Sequence, residues 1–209
     1  GADTQLRPEE VDTRIIRNSK VFHVGSLSLT DEPARSATMA ALEAAKAAGC
    51  VMSYDPNYRS SLWPSAEVAS GHMRSIVGYM DLIKISCEEC ELMCGTTDPQ
   101  AAAQVLLDQG AKVVCVTLDA DGAYVATKDG GATVPSFRVE VVDTTGAGDS
   151  FWGGFLCAFV DSRISPADVT LEDAKGFARF GNAVASLCVR SRGAIPSMPT
   201  LAEVEKVLG

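Results

Sequence analysis

The chain has 209 residues, of which 46% are hydrophobic and 22% are charged. This composition can build one sizeable core, and we predict one domain over residues 1–209. The formal net charge of −9 argues against nucleic acid or an anionic membrane surface as a partner. No apolar run approaches the roughly 18 residues that a membrane-spanning helix needs.

Strand and helix patterns alternate along the chain. The first half predicts a strand at 20–25, a helix at 32–48, a strand at 50–54, a helix at 65–78, a strand at 81–85 and helices at 88–93 and 99–109. The second half predicts strands at 112–117, 123–127 and 132–142, then helices at 149–160, 171–189 and 201–208. This alternation indicates parallel βαβ units. Ligands of such sheets bind beyond the carboxyl ends of the strands, where Asp55, Ser86, Thr117 and Asp143 fall.

The segment D-T-T-G-A-G-D, from Asp143 to Asp149, carries the strongest functional signal. A glycine-rich turn that opens a helix exposes unpaired N–H groups at the positive end of the helix dipole, and such a turn binds anions. A carboxylate there is an unfavourable neighbour for an anion, unless it accepts a proton from a hydroxyl that attacks the anion. The residues therefore predict phosphoryl transfer to an alcohol, with Asp149 as the base. The alternative is a tight turn in which Asp149 only favours the helix dipole.

The longer string D-T-T-G-A-G-D-S-F resembles the C-terminal signature of the ribokinase-like (PfkB) carbohydrate kinases. The resemblance implies an α/β fold, a three-layer αβα sandwich with a mainly parallel sheet, whose N-terminal lid and first strands lie outside this sequence. It implies that residues 1–209 are the nucleotide-binding and catalytic portion of such a kinase domain, with ATP and Mg²⁺ as cofactors. Asp149 would be the base and would contact the acceptor hydroxyl, and the N–H groups of Gly146, Ala147 and Gly148 would stabilise the transferring phosphoryl group.

The segment S-Y-D-P-N-Y-R-S-S-L-W-P is similar to a stretch of fructokinases and of ketodeoxygluconate kinases. The resemblance implies that Asn57 and Arg59 bind the sugar, since a guanidinium offers a rigid fork to hydroxyls or a carboxylate. A solvated loop position for Arg59, and turn formation around Pro56 by Asp55 and Asn57, are the alternatives. We expect fructose as the acceptor. A 2-keto-3-deoxygluconate kinase and a non-catalytic nucleotide-binding relative are the other hypotheses.

Two further segments match the nucleotide side of the family. K-I-S-C-E-E matches its N-x-x-E element with Ser86 in place of Asn, which implies that Glu89 acts on Mg²⁺ through water. V-T-L-D-A-D-G resembles its nucleotide-side turn, with Asp119 in place of a usual glycine. Asn182 matches a nucleotide-contacting position, and a place on the helix surface is its alternative. The implied nucleotide-binding residues are Lys84, Ser86, Thr117, Gly122, Gly148 and Asn182.

The segment R-G-A-I-P-S resembles the C-terminal loop of the family. The resemblance implies a monovalent-cation site, suited to K⁺, that is formed partly by backbone carbonyls. A cation there would offset the charge of Asp143 and help to shape the anion-binding turn. The implied site residues are Asp143, Thr145, Cys188, Ser191, Gly193 and Ser197.

Three of the seven cysteines, Cys87, Cys90 and Cys94, have C-x2-C-x3-C spacing. This spacing can indicate a metal or iron–sulfur site. The same three positions share one helix face, where a free cysteine packs as a small hydrophobe, and we predict packed thiols without a metal. An odd cysteine number without a secretory signal favours the cytoplasm. A homodimer is a further expectation for the complete protein.

Overall fold

The computed structural model describes residues 2–209. Contacts within the chain divide it into two compact units, Gly1–Val114 and Cys115–Gly209. The strand β4 (Val113–Thr117) contains this division. The prediction of one domain over 1–209 stays a prediction, and the two units are described in turn.

The first unit holds three parallel strands in the order β1 (Val21–Gly25), β2 (Val51–Asp55) and β3 (Leu82–Ser86). Gly25 pairs with Asp55, and Tyr54 pairs with Ile83. Because the strands are parallel, their carboxyl ends meet at one edge, as the sequence predicts. The helices of this unit are α1 (Thr13–Arg17), α2 (Ala34–Ala48), α3 (Ala66–Ser75), α4 (Cys90–Cys94) and α5 (Pro99–Asp108).

The core of the first unit lies between these helices and the strands. In α2 the residues Ala37, Ala41 and Ala45 are buried at a spacing of four, which places them on one helix face. The side chain of Ser65 caps α3 by accepting the N–H of Val68, and Asp98 caps α5 in the same way. Caps and small buried residues together explain why these segments are helical.

The second unit begins within β4 and continues with an antiparallel hairpin of β5 (Ala123–Thr127) and β6 (Gly130–Val134). Its helices are α6 (Ala147–Ser162), α7 (Leu171–Cys188) and α8 (Leu201–Leu208). Helices α6 and α7 approach closely, since a Cβ on Gly181 would lie 2.6 Å from the carbonyl oxygen of Phe151. An aromatic cluster fills the adjoining space and is formed by Phe151, Trp152, Phe155, Phe159 and Phe177.

The predicted strand at 132–142 is wrong beyond Val134. Residues 135–142 form no strand, and most of their side chains are exposed. Pro135 has no N–H to donate to a sheet. The N–H groups of Val142 and Asp143 instead donate to the carbonyl oxygen of Val189, at 2.8 and 3.2 Å. This segment is therefore held by the end of α7.

The other predicted strands and helices are confirmed, with shifts of up to three residues at some ends. Helix α2 begins at Ala34 instead of 32, and the predicted helix at 65–78 ends at Ser75 with a 3₁₀ turn after it. Helix α6 begins at Ala147, which makes Asp149 the third residue of the helix. Among the helices between residues 2 and 209, none has the length and apolarity to span a membrane.

Candidate active site

The glycine-rich turn leads into α6 through Gly146, whose φ of 79° is in the left-handed region. A Cβ at this position would lie 2.5 Å from the Cβ of Ala194, so glycine is required both for its backbone and for space. Ser150 donates the first α-helical bond, to the carbonyl oxygen of Gly146 at 2.8 Å. By helix geometry, the preceding N–H of Gly148 has no acceptor within the helix.

The N–H of Ala147 already has an acceptor within the protein, unlike the N–H of an anion-binding residue. It donates to the carbonyl oxygen of Thr144 at 3.1 Å and so closes the turn itself. Of the three predicted N–H donors, Gly146 and Gly148 remain as candidates. Ala147 contributes the shape of the turn instead.

Asp149 has an exposed side chain on the first turn of α6. The next residues, Ser150, Phe151 and Trp152, are buried and fix the backbone beneath it. An exposed carboxylate on a rigid helix, beside N–H groups that can bind an anion, can accept a proton from a hydroxyl. The roles predicted for this segment, an anion-binding turn and a catalytic base, stay predictions.

The Asp143 side chain joins the glycine-rich turn to the loop after α7. One carboxylate oxygen accepts the N–H of Thr145 at 2.9 Å and its hydroxyl at 2.7 Å. The other oxygen accepts the N–H of Gly193 at 2.9 Å. These bonds lower the pKa of Asp143 from 3.8 to about 2, and the bond from Gly193 has the largest effect. The carboxylate is therefore charged and holds both segments.

The structure brings the predicted monovalent-cation residues into one neighbourhood. Asp143, Thr145 and Gly193 are joined by the hydrogen bonds above. In the same loop, the N–H of Ser191 donates to the carbonyl oxygen of Cys188 at 3.4 Å. The hydroxyl of Ser197 donates to the carbonyl oxygen of Arg192 at 3.1 Å. The Cys188 side chain is fully buried, so only its backbone can serve a cation.

In the first unit, a buried ionic network lies at the carboxyl ends of β2 and β3. The Nζ of Lys84 lies 2.8 Å from Oδ2 of Asp55, and these residues are 6% and 3% exposed. Lys84 is therefore paired within the protein, and its predicted contact with nucleotide stays a prediction. The neighbouring Tyr54 is buried, and its pKa lies well above 10.0 because of burial and then the charges of Glu89 and Asp55.

Glu89 is 6% exposed, and its charge acts on the same tyrosine, Tyr54. Its Oε2 accepts the N–H of Ser86 at 2.9 Å, and its Oε1 accepts the N–H of Tyr58 at 2.6 Å. Each carboxylate oxygen has a second lone pair, so the group can still hold a water of hydrated Mg²⁺. The side chain fits the role that the resemblance implies, and it also has a structural one.

The segment 55–59 forms a turn followed by an exposed arginine. Oδ1 of Asp55 accepts the N–H of Asn57 at 3.2 Å, and Asn57 has a φ of 51°. The turn-forming alternative for these two residues is thus confirmed, and it does not prevent Asn57 from contacting a sugar. Arg59 is exposed, and its Nη1 donates to the carbonyl oxygen of Tyr58 at 3.0 Å.

The predicted nucleotide-side turn of the second unit follows β4, which ends at Thr117. Asp119 has a φ of 50°, a backbone conformation that favours glycine and that a short polar residue such as aspartate tolerates. Gly122 also has a positive φ, of 106°, and its carbonyl oxygen accepts the N–H of Leu118 at 2.8 Å. Gly122 is therefore required by the turn itself.

Asn182 is not on the surface of α7. It is 3% exposed, and its Nδ2 donates to the carbonyl oxygens of Val134 and Pro135 at 3.0 and 3.3 Å. These bonds hold the chain where it leaves β6. Burial excludes the alternative of a surface residue, and the predicted nucleotide contact stays a prediction.

Sequence reasoning missed the pairing of Asp55 with Lys84. A signal was available, since Lys84 stands within the apolar strand L-I-K-I and a buried lysine needs an anionic partner. The only part of this site that spacing alone identified is the glycine-rich turn.

The three spaced cysteines belong to α4 and the turn before it. Cys90 is fully buried, and its thiol contacts the carbonyl oxygen of Ser86 at 3.6 Å. Burial raises the pKa of Cys90 to about 12 and that of Cys94 to about 11. Over residues 2–209 the structure groups no three His, Cys, Asp or Glu side chains in a way that could hold a metal ion.

Solved kinase structures share this architecture. A fructokinase with bound ATP from Xylella fastidiosa has a TM-score of 0.88 and 31% identity, over 98% of this chain and 66% of that one. A fructokinase double mutant from Vibrio cholerae O395 in a form with bound fructose, ADP and potassium ion has a TM-score of 0.89 and 29% identity, over 100% and 66%. A ribokinase II in complex with ATP and Mg²⁺ from E. coli has a TM-score of 0.82 and 27% identity, over 97% and 63%. The predicted fold class is confirmed: a three-layer α/β fold with a six-stranded, mostly parallel sheet.

The family described as pfkB family carbohydrate kinase matches residues 1–201, and the chain belongs to this family. Probable fructokinase-4 of Arabidopsis thaliana is 43% identical over 99% of this chain and 63% of its own length. Probable fructokinase-2 of the same plant is 44% identical over 95% and 60%. The chain thus spans about three fifths of the length of the curated relatives it matches.

Proposed function

We propose that the full-length protein transfers the γ-phosphoryl group of ATP to a sugar hydroxyl, with fructose as the acceptor. The observation that carries this proposal is the exposed carboxylate of Asp149 at the third position of α6, directly after the Gly146 turn. Anion-binding N–H groups and a proton acceptor thereby occur in one helical turn. This combination suits phosphoryl transfer to an alcohol.

Each part of the turn has its own role in this proposal. Asp149 accepts the proton of the attacking hydroxyl, and the N–H groups of Gly146 and Gly148 stabilise negative charge on the transferring group. Ala147 closes the turn through its bond to Thr144. The charged Asp143 holds the turn in place through Gly193.

ATP and two cations complete the proposal. Glu89 would hold Mg²⁺ through water, and the ion would neutralise charge on the phosphate oxygens. The candidate nucleotide contacts are Lys84, Ser86, Thr117, Gly122, Gly148 and Asn182. K⁺ would bind at the loop of Asp143 and Gly193, largely through backbone carbonyls, and a potassium ion in a similar Vibrio cholerae fructokinase supports this.

The acceptor site is proposed for the turn that ends in Arg59, with Asn57 beside it. Fructose is favoured because the relatives at 43% and 44% identity are named as fructokinases. The acidic net charge of −9 supports a small-molecule enzyme that does not bind nucleic acid. A cytoplasmic location and a homodimer stay predictions.

The test is ADP release by the full-length protein with Mg²⁺ and ATP, against fructose, ribose, glucose and 2-keto-3-deoxygluconate. We expect fructose to give the highest kcat/KM, and the product to be a sugar phosphate by mass. ATP binding without turnover of any acceptor would favour the non-catalytic relative. A preference for the acid sugar would favour the ketodeoxygluconate kinase.

A further inference from the structure

The carboxylate of Glu89 connects two segments that are distant in sequence. Oε2 accepts the N–H of Ser86 at the end of β3, at 2.9 Å. Oε1 accepts the N–H of Tyr58 at 2.6 Å, across 31 positions of sequence. A bond from a backbone N–H to a buried carboxylate is among the stronger hydrogen bonds in proteins. Glu89 therefore fixes the backbone of Tyr58 relative to β3.

The turn before Tyr58 is fixed at each earlier step. The N–H of Ser26, which follows β1, donates to the carbonyl oxygen of Pro56 at 3.1 Å. Asp55 is held by Lys84 and accepts the N–H of Asn57. The Glu89 bond to Tyr58 is the last of these connections before Arg59.

Arg59 is exposed, and its Nη1 donates a hydrogen bond to the carbonyl oxygen of Tyr58 at 3.0 Å. Tyr58 is thus held through its N–H by Glu89, and its carbonyl oxygen accepts the hydrogen bond from the Arg59 guanidinium. A shift of the Tyr58 backbone would move both the origin of the Arg59 side chain and the carbonyl oxygen that orients it.

We propose that Glu89 is a positioning residue for acceptor binding: it holds Tyr58 so that Arg59 is pre-oriented toward the sugar. This role is separate from any action on Mg²⁺ and rests on the proposed function, in which Arg59 contacts the acceptor. The expected consequence is that Glu89 affects sugar affinity even when Mg²⁺ and ATP are absent. A side chain that served the metal alone would have no such effect.

Glu89→Gln tests this with little change in shape. An amide has one acceptor oxygen, so only one of the N–H groups of Ser86 and Tyr58 keeps a good partner. Glu88→Gln is the matched control, because Glu88 lies in the same turn and is exposed. Glu89→Asp is the second variant, whose shorter side chain cannot reach both segments. Circular dichroism establishes that each variant is folded.

The first measurement is amide hydrogen exchange over residues 57–63, which needs no substrate. We expect at least tenfold faster exchange there in both Glu89 variants and no change in Glu88→Gln. The second is fructose affinity by calorimetry without Mg²⁺ or ATP. We expect roughly tenfold weaker binding in Glu89→Gln, the scale for a lost hydrogen bond to a charged group, and little further loss when Arg59→Ala is added.

Two outcomes separate the possible failures. Unchanged exchange and unchanged fructose affinity in Glu89→Gln, with a raised KM for Mg-ATP, would overturn the positioning role and leave the metal role. A wild-type protein that binds no fructose would contradict the proposed acceptor, and hydrogen exchange would still decide whether Glu89 fixes Tyr58.

Discussion

Asp143 and Gly193 are joined by a 2.9 Å hydrogen bond from the Gly193 N–H to the Asp143 carboxylate, across 50 positions of sequence. The bond connects the glycine-rich turn before α6 with the loop after α7. Both segments therefore depend on one charged group, and protonation of that group should loosen them together.

The pH dependence of stability should carry the signature of Asp143. Its pKa is lowered from 3.8 to about 2 in the folded protein. A lowered carboxyl pKa stabilises the fold above the unfolded value, and the contribution is lost as pH falls through the folded value. Between about pH 4 and pH 2 the melting temperature should fall more steeply in wild type than in Asp143→Asn. Equal slopes would contradict this, and Asp161→Asn, an exposed change on α6, is the control.

Gly146→Ala should damage the anion-binding turn in two ways. The left-handed backbone costs about 1–2 kcal/mol for a residue with a Cβ, and the new Cβ would meet that of Ala194. We expect a large loss of kcat and a lower melting temperature. Ala194→Gly alone should be nearly neutral in kcat, and the double variant should recover only the steric part. Full activity in Gly146→Ala would disprove the requirement.

The residues of the site differ in how well sequence could predict them. The glycine-rich turn is local, so its spacing predicted a helix start within two residues of the observed one at Ala147. Lys84 and Asn182 occupy family positions, yet their partners come from other strands and loops, and only the fold shows that both are buried. Segment 135–142 has an apolar strand pattern, but tertiary contacts with Val189 override that preference.

The cysteines should behave as thiols of unequal reactivity. Thiolate is the nucleophilic form, and burial raises the pKa of Cys90 to about 12 and that of Cys94 to about 11. At pH 8 we expect exposed Cys157 to react with a maleimide first and Cys90 to react last, as followed by peptide mass spectrometry. Elemental analysis should find no stoichiometric zinc or iron. One metal per chain would revive the metal interpretation of Cys87, Cys90 and Cys94.

Arg59 should distinguish the two sugar hypotheses. A neutral fructose needs only hydrogen bonds from the guanidinium, whereas an acid sugar would gain roughly 1.5–3 kcal/mol from a charge-assisted bond. We expect Arg59→Ala to raise the KM for fructose modestly, with fructose still preferred. Side-by-side kinetics with 2-keto-3-deoxygluconate give the comparison. A higher kcat/KM for the acid sugar that collapses in Arg59→Ala would show that fructose is the wrong acceptor.

The most direct test of the account is the turnover of Asp149→Asn in the full-length protein, with fructose and Mg-ATP. If Asp149 accepts the hydroxyl proton, kcat should fall by at least ~10²-fold, the scale of general-base catalysis. ATP affinity should stay similar or tighten, because a negative charge near the phosphates is removed. Asp161→Asn on the same helix should keep wild-type turnover. Near-normal kcat in Asp149→Asn would contradict the assignment of the catalytic base.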